Sequence, residues 1–261
     1  MNTEKEKLEA FERLLGIMDE LREKCPWDRK QTLESLRNLT IEETYELADA
    51  ISEENYEDIK KELGDLMLHI VFYAKIGSES KLFDMADILN AINEKLVFRH
   101  PHVFGDVKVD NAGEVIENWE QIKRKEGHKS VLGGVPTSLP AMIKANRVQE
   151  KVRAVGFDWD EPHQIWDKVI EEMEEVKEAA AENDPGKTEE EFGDLLFSVI
   201  NAARLYDVDP ETALEKTNRK FIKRFRFLEK QTLEKGRDLR DMTLDEMNVI
   251  WEEAKTFDGK N

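Results

Sequence analysis

Residues 168–200 read KVIEEMEEVKEAAAENDPGKTEEEFGDLLFSVI, and this stretch decides the fold. Asn183-Asp184-Pro185-Gly186 is a turn signal. The spacing predicts a helix before it, beginning near Pro162 with Asp160 or Glu161 as cap and the proline in its first turn. A second helix is predicted to open at Lys187 and run to about Tyr206. Residues three apart on a helix share a face, so Glu172 and Glu175 project together, as do Glu191 and Asp194. If the helices fold back as a hairpin, four carboxylates converge across their interface. Such a group repels itself, and an isolated buried charge is costly. A hard divalent cation relieves this: Mg²⁺, with Mn²⁺ as the alternative, takes oxygen ligands and keeps waters and phosphates for the rest. Gly193, between the second pair, costs ~1 kcal/mol of helix propensity relative to Ala, which predicts close approach of a neighbouring helix or ligand. Leu195 to Ile200 continues that helix as an apolar run, so it is expected to be largely buried.

Taken alone, Glu172 and Glu175 read as a solvated acidic face. A repeat changes the reading. Glu42, Glu43, Glu46, Glu62, Gly64 and Asp65 recur as Glu171, Glu172, Glu175, Glu191, Gly193 and Asp194, all at an offset of 129. Asn93, Lys95 and Arg99 recur as Asn218, Lys220 and Arg224 at 125. Cys25-Pro26-Trp27-Asp28 loosely answers Gly156-Phe157-Asp158-Trp159. Single acidic matches mean little in so acidic a chain, but an ordered set at fixed spacing indicates a tandem duplication. The periodicity breaks at Gly133-Gly134-Val135-Pro136. The expected organisation is therefore a first repeat over 1–126, a linker over 127–138 and a second repeat over 139–261.

The rest of the chain is also helical in pattern. Leu8, Phe11, Leu14, Leu15 and Met18 are helically spaced, and Ile59, Leu63, Leu66, Met67, Ile70, Val71 and Ala74 form a wide stripe suited to a buried helix. Asp209-Pro210-Glu211 is a cap-plus-proline start, and Thr243 with Glu246 has capping-box spacing. Val107 to Val109 is the one strand candidate. The fold expected is all-α, a tandem repeat of helical bundles.

The formal net charge is -19, from 58 acidic and 39 basic residues in 261. That surface repels phosphate backbones, so nucleic acid is not an expected partner, although carboxylates can bind polyphosphates through metal ions. Cys25 is the single cysteine, which excludes an intrachain disulfide and suits a reducing compartment. The start of the sequence lacks a signal-peptide apolar core, and no run approaches ~18 apolar residues. A cytoplasmic protein without a membrane partner is expected. His100 and His102 flank Pro101 in a segment without helical pattern and read as structural; Cys25 reads as a turn residue.

Basic residues supply the other half of a polyphosphate site. Lys220 and Arg224 share a helix face, with Lys216 one turn before. Lys187 lies one turn ahead of Glu191, near a helix N-terminus that favours anions, and Lys168 one turn ahead of Glu172. Ordinary i,i+4 ion pairing is the competing explanation; for Lys220 and Arg224 the recurrence as Lys95 and Arg99 favours function.

Glu-Glu-x-x-Glu followed by Glu-x-x-Asp on the next helix resembles the MazG nucleotide pyrophosphohydrolases, with all-α dUTPases and phosphoribosyl-ATP pyrophosphatases as more distant relatives. Arg99-His100-Pro101-His102-Val103-Phe104 and the segments around Trp27 and Trp159 extend the resemblance over nearly the whole chain. It implies Mg²⁺-dependent hydrolysis of nucleoside triphosphates, ribo- and deoxyribo-, to monophosphate and pyrophosphate by a homodimer. It also implies Glu172, Glu175, Glu191 and Asp194 as metal ligands, and Lys168 to Glu172, Lys187 to Glu190, Lys220 to Arg224 and Trp251 around the nucleotide. Hydrolysis between the α and β phosphates needs an in-line water and a proton acceptor. The catalytic candidates are Glu171, to orient or deprotonate that water, and Glu172 beside it. Trp251 suits base stacking or an amphipathic core equally.

The repeats differ where Lys187 is answered by Asp58 and Lys168 by Leu39. The first repeat keeps Glu43, Glu46, Glu62, Asp65, Lys95 and Arg99 as a second candidate site, but the second repeat is the better catalyst on electrostatics. Each repeat offers too few helices to cover both faces of its apolar hairpin, which again predicts a homodimer. The alternatives are a narrower dUTPase-like or house-cleaning pyrophosphatase, and a non-catalytic nucleotide-sensing helical protein.

Overall fold

A computed structural model describes residues 1–109, 115, 122, 130–159, 161 and 163–256. The chain divides into two compact units, Met1–Asp110 and Asn111–Asn261. Helices make up both, and no strand occurs among the described residues; Val107 to Val109 forms none.

The first unit holds α1 (Glu4–Lys24), α2 (Leu33–Ser52), α3 (Tyr56–Glu79), α4 (Met85–Arg99) and a one-turn α5 (Pro101–Phe104). Thr32 and Asn55 cap α2 and α3, and those two helices form a hairpin that packs against α1. Their shared core is Met18, Leu36, Val71, Phe72, Ala74 and Met85, with Phe11, Leu14, Leu15 and Leu39 against it. Leu8 stays exposed, so the amphipathic stripe of α1 buries from its second turn onward. His102 sits on α5, so the segment expected to be non-helical makes one helical turn, opened by Pro101.

The second unit holds α6 (Ala141–Arg153), α7 (Gln164–Glu182), α8 (Pro185–Leu205), α9 (Pro210–Glu234) and α10 (Leu244–Lys255). α7 and α8 form the hairpin read from the sequence, and α6 packs on α8 and α9. Asn183 takes a left-handed conformation (φ 57°) and ends α7. Asp184 then accepts from the Gly186 and Lys187 amides, so α8 opens at Pro185, two residues before the predicted Lys187. Asp160 and Pro162 lie outside the described residues; α7 begins at Gln164, and Glu161 is not its cap but donates its amide to the Gln164 side chain. Thr243 and Glu246 close the reciprocal capping box of α10. Residues 130–139 are turns in the second unit, where the Val131 and Thr137 carbonyls accept from Lys151 and Lys144.

The duplication is visible in the helix starts. α3 and α8 begin 129 residues apart, and α4 and α9, both capped by aspartate, 125 apart. The four-residue change in offset falls at the ends of α3 and α8 and in the loops after them. One expectation is overturned in both halves: the apolar stripes are not fully buried. Leu63, Met67 and Ile70 on α3 are exposed, as are Phe192, Leu196 and Val199 at the matching positions of α8. The helices of a single chain cover only the opposite faces, those of Phe72 and Ala74 or of Ser198 and Ala202. The close approach expected at Gly193 is likewise missing within the chain, since an added Cβ would meet nothing within 4 Å there or at Gly64.

Candidate active site

The α7–α8 hairpin brings Glu172, Glu175 and Glu191 together, each with a carboxylate oxygen within 4.8 Å of the others. Glu172 is only 5% exposed. Burial first, then the charges of Glu172 and Glu191, push the Glu175 carboxyl above its ordinary value. Lys168, one turn back, donates to Glu172 Oε1 at 2.6 Å and to Glu171 Oε1 at 2.9 Å. The bond to Glu172, then that to Glu171, holds its ammonium well above the usual lysine range. Asp194, the fourth predicted ligand, stands outside the trio; it is exposed and lines an adjoining cavity together with Glu172 and Lys168.

That cavity, of about 530 Å³, is the feature sequence reasoning missed. Its walls are Val148, Gln149 and Val152 of α6, the 156–159 segment, Ile165 of α7, and Phe197, Ser198, Asn201 and Arg204 of α8. Arg204 holds the segment in place through bonds from Nη1 and Nη2 to the Asp158 carboxylate at 3.1 and 2.5 Å. Burial raises the Asp158 pKa, but the Arg204 bond, the Trp159 amide and the charges of Arg204 and Arg153 outweigh it and leave it below its ordinary value. Gly156, at φ 86°, makes the turn into the segment. The Gly-Phe-Asp-Trp motif was the available signal; Gln149, in the polar run of α6, carried none.

The remaining predicted residues fall elsewhere. Lys187 donates to Glu182 at 2.9 Å, with Glu191 as a further negative neighbour, and Glu190 is exposed. Lys220 is exposed on α9. Trp251 packs at 5.0 Å from the Phe221 ring, with the Arg224 guanidinium 5.7 Å over its own ring, and Phe221 stacks on Phe225. None of Lys187, Glu190, Lys220, Arg224 and Trp251 lines the cavity.

The first unit repeats the carboxylates but has packed side chains where the second has its cavity wall. Glu43, Glu46 and Glu62 converge within the same 4.8 Å, with Asp65 a charge neighbour of Glu43. Here Glu62 is the buried member: Lys61 donates to its Oε1 at 2.9 Å, and Oε2 has no hydrogen-bond partner. Where the second unit has Lys168, Ser198 and Asn201, the first has Leu39, His69 and Phe72, the last two buried. Thr40 ties His69 Nδ1 and the Tyr73 hydroxyl together at 2.7 and 2.6 Å, filling this region with packed side chains. Lys95 is exposed and Arg99 half-buried on the last turns of α4. His100 Nδ1 lies 2.6 Å from the Leu96 carbonyl, and no third ligand joins it and His102 among the described residues.

A helical hairpin with clustered carboxylates occurs in both units, beside a cavity of about 530 Å³ in the second, and defines a duplicated all-α class with an acidic site suited to a hard cation. The model of the MazG nucleotide pyrophosphohydrolase domain matches residues 31–104 and again 160–226. The chain is 46% identical over 253 residues to a Thermotoga maritima protein named nucleoside triphosphate pyrophosphohydrolase/pyrophosphatase MazG, covering 95% of this chain and 96% of that one. It is 42% identical over 257 residues to the Escherichia coli K12 nucleoside triphosphate pyrophosphohydrolase, covering 95% and 98%. It is also 45% identical over 260 residues to Bacillus subtilis YabN, of which it matches 53%. The chain belongs to the MazG nucleotide pyrophosphohydrolase family.

Proposed function

We propose that this nucleoside triphosphate pyrophosphohydrolase acts through its second repeat, residues 139–261, with Mg²⁺ held by Glu172, Glu175 and Glu191 and completed by Asp194. The observation that carries the reading is one juxtaposition: Glu172 and Lys168 belong at once to the carboxylate cluster and to the cavity wall. The donor set fits a hard divalent cation, being all carboxylate oxygen with one member almost fully buried. When bound, the cation supplies neutralisation of phosphate charge. The cavity takes base and ribose, which places the phosphates over Glu172. Lys168 then exchanges its carboxylate bonds for phosphate oxygens, and Glu171, freed from Lys168, orients the attacking water and receives its proton. Lys187, Glu190, Lys220, Arg224 and Trp251 lie outside the cavity wall, so their assigned contacts are with the phosphate end of the nucleotide that projects from it. The narrower dUTPase-like or house-cleaning reading differs only in which bases the cavity admits. Pyrophosphate release from mixed nucleoside triphosphates, assayed with Mg²⁺, with chelator and in Glu172→Gln, tests this. Turnover should vanish in the last two with helical content unchanged, and wild-type rates in either would sink it.

The exposed, repeat-related stripes Leu63–Met67–Ile70 and Phe192–Leu196–Val199 favour a homodimer. The uncrowded Gly64 and Gly193 beside them leave room for a second copy or a ligand.

A further inference from the structure

The walls of the second unit's cavity set its hydrogen-bonding sense. Gln149 is 3% exposed and its Nε2 donates to the Phe197 carbonyl at 2.9 Å. A carbonyl only accepts, so the amide cannot be flipped: nitrogen faces Phe197 and oxygen the other way. That Oε1 is buried without a hydrogen-bond partner, and buried acceptors in native proteins are nearly always paired. Asn201 is fixed in the opposite sense. Its Oδ1 accepts from Arg204 Nε at 3.1 Å and Nη2 at 2.7 Å, and a guanidinium only donates, so the Asn201 amide nitrogen remains as a donor. Both residues line the cavity.

We propose that Gln149 reads the nucleobase: its Oε1 accepts from an N–H of the base, while Asn201 Nδ2 donates to a neighbouring ring nitrogen or carbonyl oxygen. The inference rests on the assignment of the cavity to the nucleoside. Adenine and cytosine offer an exocyclic amine beside a ring nitrogen; guanine and uracil offer a ring N–H beside a carbonyl. Each common base satisfies the pair, so the device selects for the presence of a base N–H and not for one base. A site that hydrogen-bonds its substrate rejects the analogue lacking the group, because its own buried atom is then left unpaired. The first unit has Met18 and Phe72 at these positions, both buried and apolar, and cannot make the same reading.

The test compares kcat/KM of the full-length protein on ATP against purine riboside triphosphate, and on CTP against 2-pyrimidinone riboside triphosphate. The analogues carry no N–H on the base. Each should be hydrolysed about tenfold less efficiently than its parent, the loss expected for one neutral hydrogen bond. Gln149→Met should erase the difference by lowering the parents to the level of the analogues. Equal rates in the wild type, or an undiminished ratio in Gln149→Met, overturn the proposal; the wild-type ratios need no variant to fold. A separate arm, Asn201→Phe, carries the first unit's residue into the cavity, with helical content checked by circular dichroism and Asn201→Leu as the milder form. Loss of turnover on all four substrates there upholds the cavity assignment even if the analogue ratios refute Gln149. Unchanged turnover overturns the assignment and the inference with it.

Discussion

Lys168→Leu places the first repeat's residue in the second and separates two roles of one ammonium. That ammonium lies 2.6 Å from Glu172 and 2.9 Å from Glu171. A hydrogen bond to a charged group contributes about 1.5–3 kcal/mol, but the Lys168 side chain is 36% exposed, so screening reduces this to about 1 kcal/mol. Glu172 has little such screening, and removing its partner leaves a buried charge uncompensated in a cluster already negative; the expected total is about 1–2 kcal/mol, or roughly 2–5 °C in Tm. Divalent cations should restore most of that loss, since they replace the missing positive charge. With substrate, the same ammonium is needed at the phosphates, and one charge-assisted contact corresponds to roughly 10- to 150-fold in kcat/KM. The assay is steady-state pyrophosphate release from ATP at saturating Mg²⁺, beside thermal melts with and without metal. A kcat/KM within twofold of wild type would refute the phosphate role and leave Lys168 a structural ion-pair partner only.

Three further outcomes are expected. The raised Glu175 pKa means the folded, metal-free protein holds its proton above the ordinary value of 4.5; stability therefore rises as pH falls through that raised value, and is lowest above it. Metal competes for the same carboxylate, so the Tm gain from Mg²⁺ should grow with pH, and a larger gain at acidic pH would contradict the assignment. Arg204→Met leaves the Asp158 carboxylate with Arg153 alone, 3.5 Å away, and should cost about 2 kcal/mol in urea unfolding; a loss under about 0.5 kcal/mol would show a solvated pair. Leu196→Asp places a charge in the exposed α8 stripe and should convert a dimer into a monomer by light scattering, whereas a monomeric wild type at micromolar concentration would remove the dimer altogether.

Local signals made the hairpins legible. Asp184-Pro185 and Asp209-Pro210 cap their helices with no help from distant residues, and convergence of Glu172, Glu175 and Glu191 needs only helical spacing and a tight turn. The cavity is different in kind. It joins Gln149 from one helix, a four-residue turn and the Ser198–Asn201–Arg204 face of another, and no single periodicity contains that juxtaposition. Gln149 in particular sits in Asn146-Arg147-Val148-Gln149-Glu150-Lys151, a run that reads as surface, yet both Gln149 and Lys151 are buried. The apolar stripes of α3 and α8 were readable as stripes, but periodicity identifies an apolar face without identifying what covers it. Leu39 and Asp58 marked the first repeat as short of positive charge. That Phe72 and His69 also close its cavity emerges only once the α3 face is seen to pack inward.

The central claim, one working site in the second repeat, is tested most directly by paired double variants. Glu43→Gln with Glu46→Gln and Glu172→Gln with Glu175→Gln are compared in steady-state hydrolysis of ATP and dGTP, with assembly state and helical content matched to wild type. The first-repeat pair should retain most of the activity and the second-repeat pair nearly none. A dead first-repeat variant beside an active second-repeat variant would contradict the account and make the first half the catalyst.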